Sequence, residues 1–163
     1  MNKSTQPIPP GQENLIPHLI CSQCSEAIEF YKKAFGAEEI RRLVAPDGQR
    51  IMHAAIRIGK SFLFLVDDFP EFSGGISQSP LALKGSPVII HQYVENCDAA
   101  IKRAQDAGAT VLMPAADCFW GDRYGIVMDP YGHKWSLATH IKDLTPAEME
   151  AAMKDACAQL ADQ

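Results

Sequence analysis

The stretch FWGDRYGIVMDPYGHKWSLATH, from Phe119 to His140, decides the fold that we predict for this chain. Its apolar run from Ile126 to Met128 is followed by Asp129-Pro130-Tyr131-Gly132, which has the proline and glycine placement of a tight turn. The stretch therefore predicts a strand, a turn and a second strand. Along the second strand Ser136, Ala138 and His140 point to one face, and the residues that alternate with them point to the other. The hairpin gathers aromatic and charged groups that can stack on and hydrogen-bond a small molecule, so it indicates a pocket.

The amino-acid composition is that of a globular protein. The chain has 163 residues, 47% of them hydrophobic and 21% charged, as in ordinary globular domains. A net charge of -5 and scattered basic residues exclude a nucleic-acid-binding surface. No apolar run is long enough for a membrane span and no signal peptide is evident, so we expect a cytoplasmic protein without a membrane partner.

The predicted elements occur twice along the chain. Helical spacing of apolar residues predicts helices over Cys24 to Phe35 and Cys97 to Ala107, and a capping box that begins at Thr145 predicts a third, to about Leu160. The predicted strands are Asn14 to Ser22, Glu38 to Val44, Arg50 to Ile58 and Ser61 to Val66, then Pro87 to Glu95, Thr110 to Met113, Arg123 to Met128 and His133 to Thr139.

Matched residues indicate that the second half repeats the first. Cys24 and Cys97 lie 73 residues apart, and Gly36 and Gly108 lie 72 apart. The fold class that we predict is α+β, with two tandem β-α-β-β-β modules forming curved mixed sheets around a cavity, plus a C-terminal helix. The predicted segments are a flexible N-terminal arm at 1–13, a first module at 14–66, a connecting loop at 67–86, a second module at 87–141 and a C-terminal helix at 142–163.

Two histidines occupy equivalent positions in this repeat. The offset of 73 carries His18 onto His91, each on the first strand of its module. Imidazole suits Zn and similar metals, so the pair is a candidate metal site for a divalent metal ion, although a catalytic metal usually takes a third protein ligand. His53 is a candidate for that third ligand. The alternative is that the histidines are hydrogen-bonded residues of a core or pocket.

The duplicated halves, the segment AIEFYKKAFGAEE at Ala27 to Glu39, and FWGDRYG followed by DPYGHKWSLATH resemble the vicinal oxygen chelate superfamily. That superfamily includes glyoxalase I, extradiol dioxygenases and bleomycin-resistance proteins, and the likeness is greatest to its PhnB-like branch. The resemblance implies a homodimer. Some PhnB-like relatives carry a demethylubiquinone-methyltransferase label, but no glycine-rich nucleotide loop follows a strand here, which disfavours that activity.

The resemblance also implies where a metal would be held. In metal-using members the first and last strands of each half supply the ligands. Those positions fall here at Ile16, Ile89 and Ser136, and at either Phe64 or Leu63 according to the alignment chosen. None of these residues supplies the expected ligand, so neither glyoxalase nor dioxygenase chemistry follows from the resemblance.

Five residues are predicted to contact a ligand: Phe64, Trp120, Arg123, Tyr124 and Ser136. Arg123 has two interpretations, because its planar fork suits an anionic or carbonyl-bearing ligand but equally suits ion pairs that hold the hairpin. The cysteines are mostly expected to be buried hydrophobic residues. Cys21 and Cys24 have the spacing of a redox motif, but no other feature of the sequence supports redox activity. Cys118 is either a reactive thiol or a buried inert one.

Two functions remain open at this point. The first is a metal-free protein that binds an aromatic or hydrophobic compound, similar in principle to bleomycin-resistance proteins. The second is a lyase or isomerase of the glyoxalase type, or a dioxygenase-like enzyme, that uses a divalent metal held by His18, His91 and a third ligand. The missing ligands favour the binding protein, whereas the histidine pair favours the enzyme.

Overall fold

The computed structural model describes residues 6–161. Residues 1–5 of the predicted arm and residues 162–163 of the predicted C-terminal segment lie outside that range. The chain divides between Ser86 and Pro87 into two compact units. Within the described residues, no helix is both long enough and apolar enough to span a membrane.

The first unit contains one complete β-α-β-β-β module. Its elements are β1 (His18–Cys21), α1 (Cys24–Phe35), β2 (Glu38–Val44), β3 (Ile51–Ile58) and β4 (Ser61–Asp67). The strands form one mixed sheet in the order β1-β4-β3-β2, with β1 parallel to β4 and the other neighbours antiparallel. Helix α1 covers one face of this sheet and buries an apolar stripe that includes Ile28 and Tyr31.

The second unit repeats this arrangement. Its elements are β5 (Ile89–Tyr93), α3 (Cys97–Asp106), β6 (Thr110–Asp117), β7 (Asp122–Met128), β8 (Lys134–His140) and, after the module, α4 (Pro146–Ala161). The sheet order is β5-β8-β7-β6, with β5 parallel to β8. The predicted fold class is thus confirmed: an α+β protein of two four-stranded mixed sheets in duplicated modules, with a C-terminal helix.

The module helices begin through the same contact in both units. The Cys24 backbone N–H donates to Asp67 Oδ1 at 2.8 Å, and the Cys97 N–H donates to Thr139 Oγ1, also at 2.8 Å. Each acceptor stands near the end of the last strand of its module. A side chain on the last strand therefore satisfies a free amide at the helix N-terminus, which ties the helix to its sheet.

Local sequence signals determine the helix ends. Gly36 follows α1 in the left-handed conformation, and its N–H donates to the Lys32 carbonyl oxygen, as predicted for a glycine stop. The Asn96 side chain accepts a hydrogen bond from the Ala99 N–H at the start of α3. At the start of α4, the Thr145 N–H donates to Glu148 Oε2 at 2.8 Å, which confirms the capping box.

Several predicted bounds were inaccurate, by the widest margins in β1 and β6, and the predicted loop is partly helical. Strand β1 is shorter than predicted because Pro17 cannot donate to the sheet, and it lies at an edge. Strand β6 extends four residues further than predicted, through Pro114, since an edge strand with register shifts tolerates proline. The predicted connecting loop contains a 3-10 helix at Pro70–Phe72 and a short helix, α2, at Pro80–Leu83.

Candidate functional site

Polar and aromatic side chains gather on the face of the second sheet that α3 does not cover. The strand register places His91 opposite Ser136 and Tyr93 opposite Ala138, while Tyr124 lies opposite Ala138 from the other side. Because side chains alternate along strands, these residues share one face. Trp120 joins them from the segment just before β7. We call this set, comprising His91, Tyr93, Trp120, Tyr124 and Ser136, the aromatic face.

Ring contacts connect the members of the aromatic face. The His91 and Tyr93 rings meet edge to face with centroids 4.7 Å apart, and His91 lies nearly parallel to Tyr124 at 6.1 Å. Tyr124 in turn contacts Trp120 edge to face at 5.5 Å. Tyr93 is 62% exposed and His91 is also exposed, so these rings are available to a ligand. The structure therefore brings together three of the five predicted ligand-binding residues, namely Trp120, Tyr124 and Ser136.

Ser136 lies beneath this surface and holds the imidazole of His91. Its side chain is buried, at 2% exposure, and its Oγ lies 2.8 Å from His91 Nδ1. The second ring nitrogen, Nε2, has no hydrogen-bond partner among residues 6–161. The Nδ1 atom of the imidazole is therefore held by Ser136, and the Nε2 atom can contact a ligand.

A carboxylate at the end of the aromatic face organises a second group of polar residues. Asp122 is buried and accepts a hydrogen bond from the Tyr93 hydroxyl at 3.2 Å, and its Oδ1 lies 2.8 Å from His140 Nδ1. The Nε2 atom of His140 lies 2.9 Å from Asp143 Oδ1. Since both ring nitrogens face carboxylates, the hydrogen bonds to Asp143 and then to Asp122 raise the pKa of His140.

The same carboxylate keeps Tyr93 protonated. The negative charge of Asp122 is the main cause that raises the pKa of the Tyr93 phenol, followed by desolvation and the hydrogen bond. Tyr93 therefore carries its hydroxyl proton near neutral pH and acts as a donor rather than as a base. His140, predicted from the sequence to be simply solvated, is instead paired with two acidic groups.

Arg123 contacts acidic residues on the helix-covered side of the sheet. Its Nη2 donates to Asp98 of α3 at 2.8 Å, and its Nη1 donates to Asp117 of β6, also at 2.8 Å. These two partners, with Asp98 the larger cause, raise the pKa of the guanidinium. Of the two interpretations of Arg123, the ion pair is the one that its contacts support, and the residue does not join the aromatic face.

Two of the three glycines in the stretch from Phe119 to His140 allow close backbone contacts. At Gly121, with φ of +95°, an added Cβ would lie 2.2 Å from the Lys142 carbonyl oxygen. At Gly125 an added Cβ would lie 2.4 Å from Ile101 Cδ1 of α3. Glycine at these positions therefore lets α3 and the segment after β8 approach β7.

The first sheet presents a smaller cluster on its corresponding face. The ring centroids of His18 and His53 lie 5.9 Å apart, and Phe64 packs against both, at 6.0 Å from His18 and 4.8 Å from His53. Desolvation, then the charges of Arg41 and His18, lowers the pKa of His53, which favours its neutral form. His53 thus joins His18, a placement that the sequence left open.

The sheet register decides which residue of the first module corresponds to Ser136. His91 pairs with Ser136 across β5 and β8, and His18 pairs with Phe64 across β1 and β4. Phe64, rather than Leu63, is therefore the equivalent position. Leu63 instead points toward the buried side of its sheet.

Comparison with known proteins agrees with this duplicated architecture. The model of the Glyoxalase/Bleomycin resistance protein/Dioxygenase superfamily matches residues 15–137. The chain belongs to this superfamily. The superfamily resemblance stated from the sequence is thereby confirmed.

Individual proteins are similar to this chain in sequence or in fold. The Mycobacterium tuberculosis H37Rv protein Rv0887c is 47% identical over 139 residues, which cover 85% of this chain and 81% of that protein. A solved gene product of Arabidopsis thaliana is 26% identical, with a TM-score of 0.62, over 77% of this chain and 98% of its own. A Bacillus cereus PhnB protein, described as a putative 3-demethylubiquinone-9 3-methyltransferase, shares the fold at 16% identity and a TM-score of 0.58, over 78% of this chain and 99% of its own.

The positions at which metal-using members of the superfamily carry ligands do not fit a metal in this chain. Ile16, Phe64 and Ile89 have no donor atoms in their side chains, and Ser136 offers a buried hydroxyl that already contacts His91. Among residues 6–161, no group of three or more His, Cys, Asp or Glu side chains is arranged to hold a metal ion. A metal ion held by His18 and His91 stays a prediction.

Burial disfavours redox or nucleophilic roles for the cysteines that the sequence singled out. Cys21 and Cys24 are completely buried in the first unit. Burial raises the pKa of the half-buried Cys118, and the charges of Asp122 and Asp117 raise it further. A raised pKa reduces the thiolate fraction, which disfavours redox or nucleophilic work.

Sequence reasoning missed Tyr93 and the role of Asp122. Tyr93 lies two residues after His91 on a predicted strand, so the alternation of side chains was a sufficient signal to place it on the same face. The burial of Asp122 between Tyr93 and His140 could not be predicted from the sequence pattern, because these two partners lie on two other strands.

Proposed function

We propose that this protein is a metal-free small-molecule-binding protein that holds an aromatic or hydrophobic compound on its aromatic face. The observation that carries the proposal is the set of rings formed by the exposed His91 and Tyr93 and the half-buried Tyr124, built over a buried Ser136. Such a surface offers flat apolar contacts with a few polar groups, which is the usual composition of a small-molecule site.

The residues at the superfamily's metal-ligand positions support binding of a small molecule without a metal ion. Three of the four positions that hold ligands in metal-using relatives carry apolar side chains here, which cannot donate an electron pair. The aromatic face instead provides ring surfaces and the Nε2 atom of His91, while the hydroxyls of Ser136 and Tyr93 are already paired with His91 and Asp122. These groups suit an uncharged or weakly polar aromatic compound.

Ligand binding is tested by titrating the purified protein with naphthalene derivatives while following thermal unfolding and tryptophan fluorescence. A ligand at one hundred times its dissociation constant stabilises the folded state by about 2.7 kcal/mol. Tyr124→Ala and Trp120→Ala are expected to weaken binding about threefold to tenfold, because each removes an aromatic contact. Phe72→Ala is the matched control, since Phe72 is an exposed ring in the first unit. Equal losses in all three variants would contradict the proposal.

A second candidate function is a divalent-metal-dependent lyase or isomerase of the glyoxalase type. The observation that favours it is the approach of His53 to His18, with ring centroids 5.9 Å apart, which supplies two imidazoles in one module. Metal analysis of the purified protein separates the two functions. Stoichiometric metal that disappears in both His18→Ala and His91→Ala would support the enzyme, whereas retention of ligand-induced stabilisation in metal-free protein would support the binding function.

Three further expectations accompany this proposal. The enclosure of the ligand in a cavity, the homodimer and the cytoplasmic location all stay predictions. Light scattering coupled to gel filtration tests the homodimer directly, because a dimer has twice the 17.9 kDa mass of the chain.

A further inference from the structure

The contact between Ser136 and His91 determines which nitrogen of the neutral imidazole carries its proton. Ser136 is almost completely buried on β8, and His91 Nδ1, at 2.8 Å, is its side-chain hydrogen-bond partner among the described residues. A hydroxyl group has one hydrogen to donate. In one arrangement Ser136 donates that hydrogen to Nδ1. In the other, the Nδ1–H donates to Ser136, and the hydroxyl hydrogen is left without an acceptor.

The first arrangement is the more stable of the two. A buried donor without an acceptor carries a penalty that favours the alternative by roughly fivefold to a hundredfold in population. With Nδ1 accepting, the proton of the neutral ring resides on Nε2. We propose that Ser136 is a positioning residue that holds His91 in the Nε2–H tautomer, so that His91 donates a hydrogen bond to an oxygen acceptor, such as a carbonyl, on an aromatic ligand.

The surroundings of the His91 ring leave Nε2–H able to donate a hydrogen bond to a ligand. The Nε2 atom has no hydrogen-bond partner among residues 6–161, and His91 is exposed. Tyr93 packs edge to face against the imidazole and Tyr124 lies nearly parallel to it, so the two phenol rings restrict its rotation. A flat ligand that contacts these rings therefore meets the Nε2–H at its edge.

The same tautomer opposes metal ligation at His91. A metal binds the imidazole nitrogen that has a free electron pair. In the Nε2–H tautomer that nitrogen is Nδ1, which Ser136 already contacts. Ligation through Nε2 would move the ring proton to Nδ1 and leave the buried hydroxyl hydrogen without an acceptor, so the site selects a donor function for His91.

The tautomer is measured by long-range proton–nitrogen correlation spectra of the ligand-free, ¹⁵N-labelled protein at about pH 8.5, where imidazole is neutral. His91→Gln identifies the His91 signals among those of the five histidines. The expected spectrum has a protonated Nε2 and an unprotonated Nδ1. Ser136→Ala should shift the ring toward a mixture of tautomers, whereas Ser136→Thr, which keeps the hydroxyl, should restore the wild-type pattern. A protonated Nδ1 in the wild type, or an unchanged pattern in Ser136→Ala, would overturn the assignment.

The ligand class is measured separately, with 2-acetylnaphthalene and 2-ethylnaphthalene as probes of similar shape. This step rests on the proposed binding function. The acetyl compound should bind about threefold to tenfold more tightly, since it alone has an acceptor oxygen, and His91→Phe should abolish the difference. Equal affinities in the wild type would overturn the ligand class. Binding of neither probe, with the Nε2–H tautomer observed, would count against the proposed function while the role of Ser136 stands.

Discussion

Replacement of Asp129 by alanine is expected to destabilise the protein by about 3–5 kcal/mol, because its carboxylate closes the turn between β7 and β8. Asp129 is 2% exposed. It accepts hydrogen bonds from the backbone N–H groups of Tyr131 and His133, both at 2.9 Å, and from the indole Nε1–H of Trp135 at 3.0 Å. Removal of the carboxylate leaves these three donors without that acceptor.

The magnitude follows from how well water can replace the carboxylate. The indole of Trp135 is 1% exposed, so loss of its hydrogen bond to the carboxylate is expected to cost about 1–3 kcal/mol. The two turn amides are expected to cost about 1 kcal/mol each, because the space vacated by the carboxylate admits a water molecule. Together these losses give the expected range.

Urea unfolding of the wild type, Asp129→Ala, Trp135→Phe and the double variant measures this effect. Trp135→Phe removes the indole donor, so the two substitutions should be coupled by about 1–2 kcal/mol in a double-mutant cycle. Asp47→Ala is the control, since Asp47 accepts amide hydrogen bonds in an exposed turn of the first module and should matter less. A loss below about 1 kcal/mol for Asp129→Ala, or additive effects in the cycle, would refute the reasoning.

Three other predictions concern the second module. Gly125→Ala should destabilise by about 1–3 kcal/mol, since the new Cβ would meet an α3 side chain at 2.4 Å, whereas Gly85→Ala, where nothing lies within 4 Å, should change urea unfolding little. His140→Gln should lower the free energy of unfolding more at pH 6 than at pH 9. The folded-state pKa of His140 is raised above the unfolded value of about 6.5, so protonation stabilises the fold at low pH, and that stabilisation is lost as pH rises through the folded pKa. An equal loss at both pH values would contradict this. Arg123→Ala should leave probe affinity unchanged in fluorescence titrations while its stability loss shrinks in high salt, and a large loss of affinity would restore Arg123 to the ligand site.

Much of the fold was predictable because its signals are local. The helix over Cys24 to Phe35 and the strand over Glu38 to Val44 have the predicted bounds, since apolar periodicity and the Gly36 stop act within a few residues. Strand β6 was predicted too short, because Pro114 is a local signal against a strand and only its place at the sheet edge makes it acceptable.

The candidate site was less predictable. Trp120, Tyr124 and Ser136 were named because the hairpin concentrates aromatic and polar groups, and the structure brings them together. Arg123, their neighbour in sequence, contacts α3 instead, because successive strand residues point to opposite faces and Asp98 lies on the helix side. Sequence proximity therefore did not place Arg123 on the aromatic face.

The sequence by itself determined the duplicated β-α-β-β-β pattern and the hairpin turn, because periodicity, turn residues and a repeat of about 73 residues are properties of the chain, and its motifs resembled those of the superfamily. Only the tertiary structure decided that Phe64 corresponds to Ser136, that Asp122 is buried beside His140, and that His91 rests on a buried hydroxyl. Each of these depends on hydrogen-bond register between strands that are distant in the chain. A shift of one residue in that register would move every side chain to the other face.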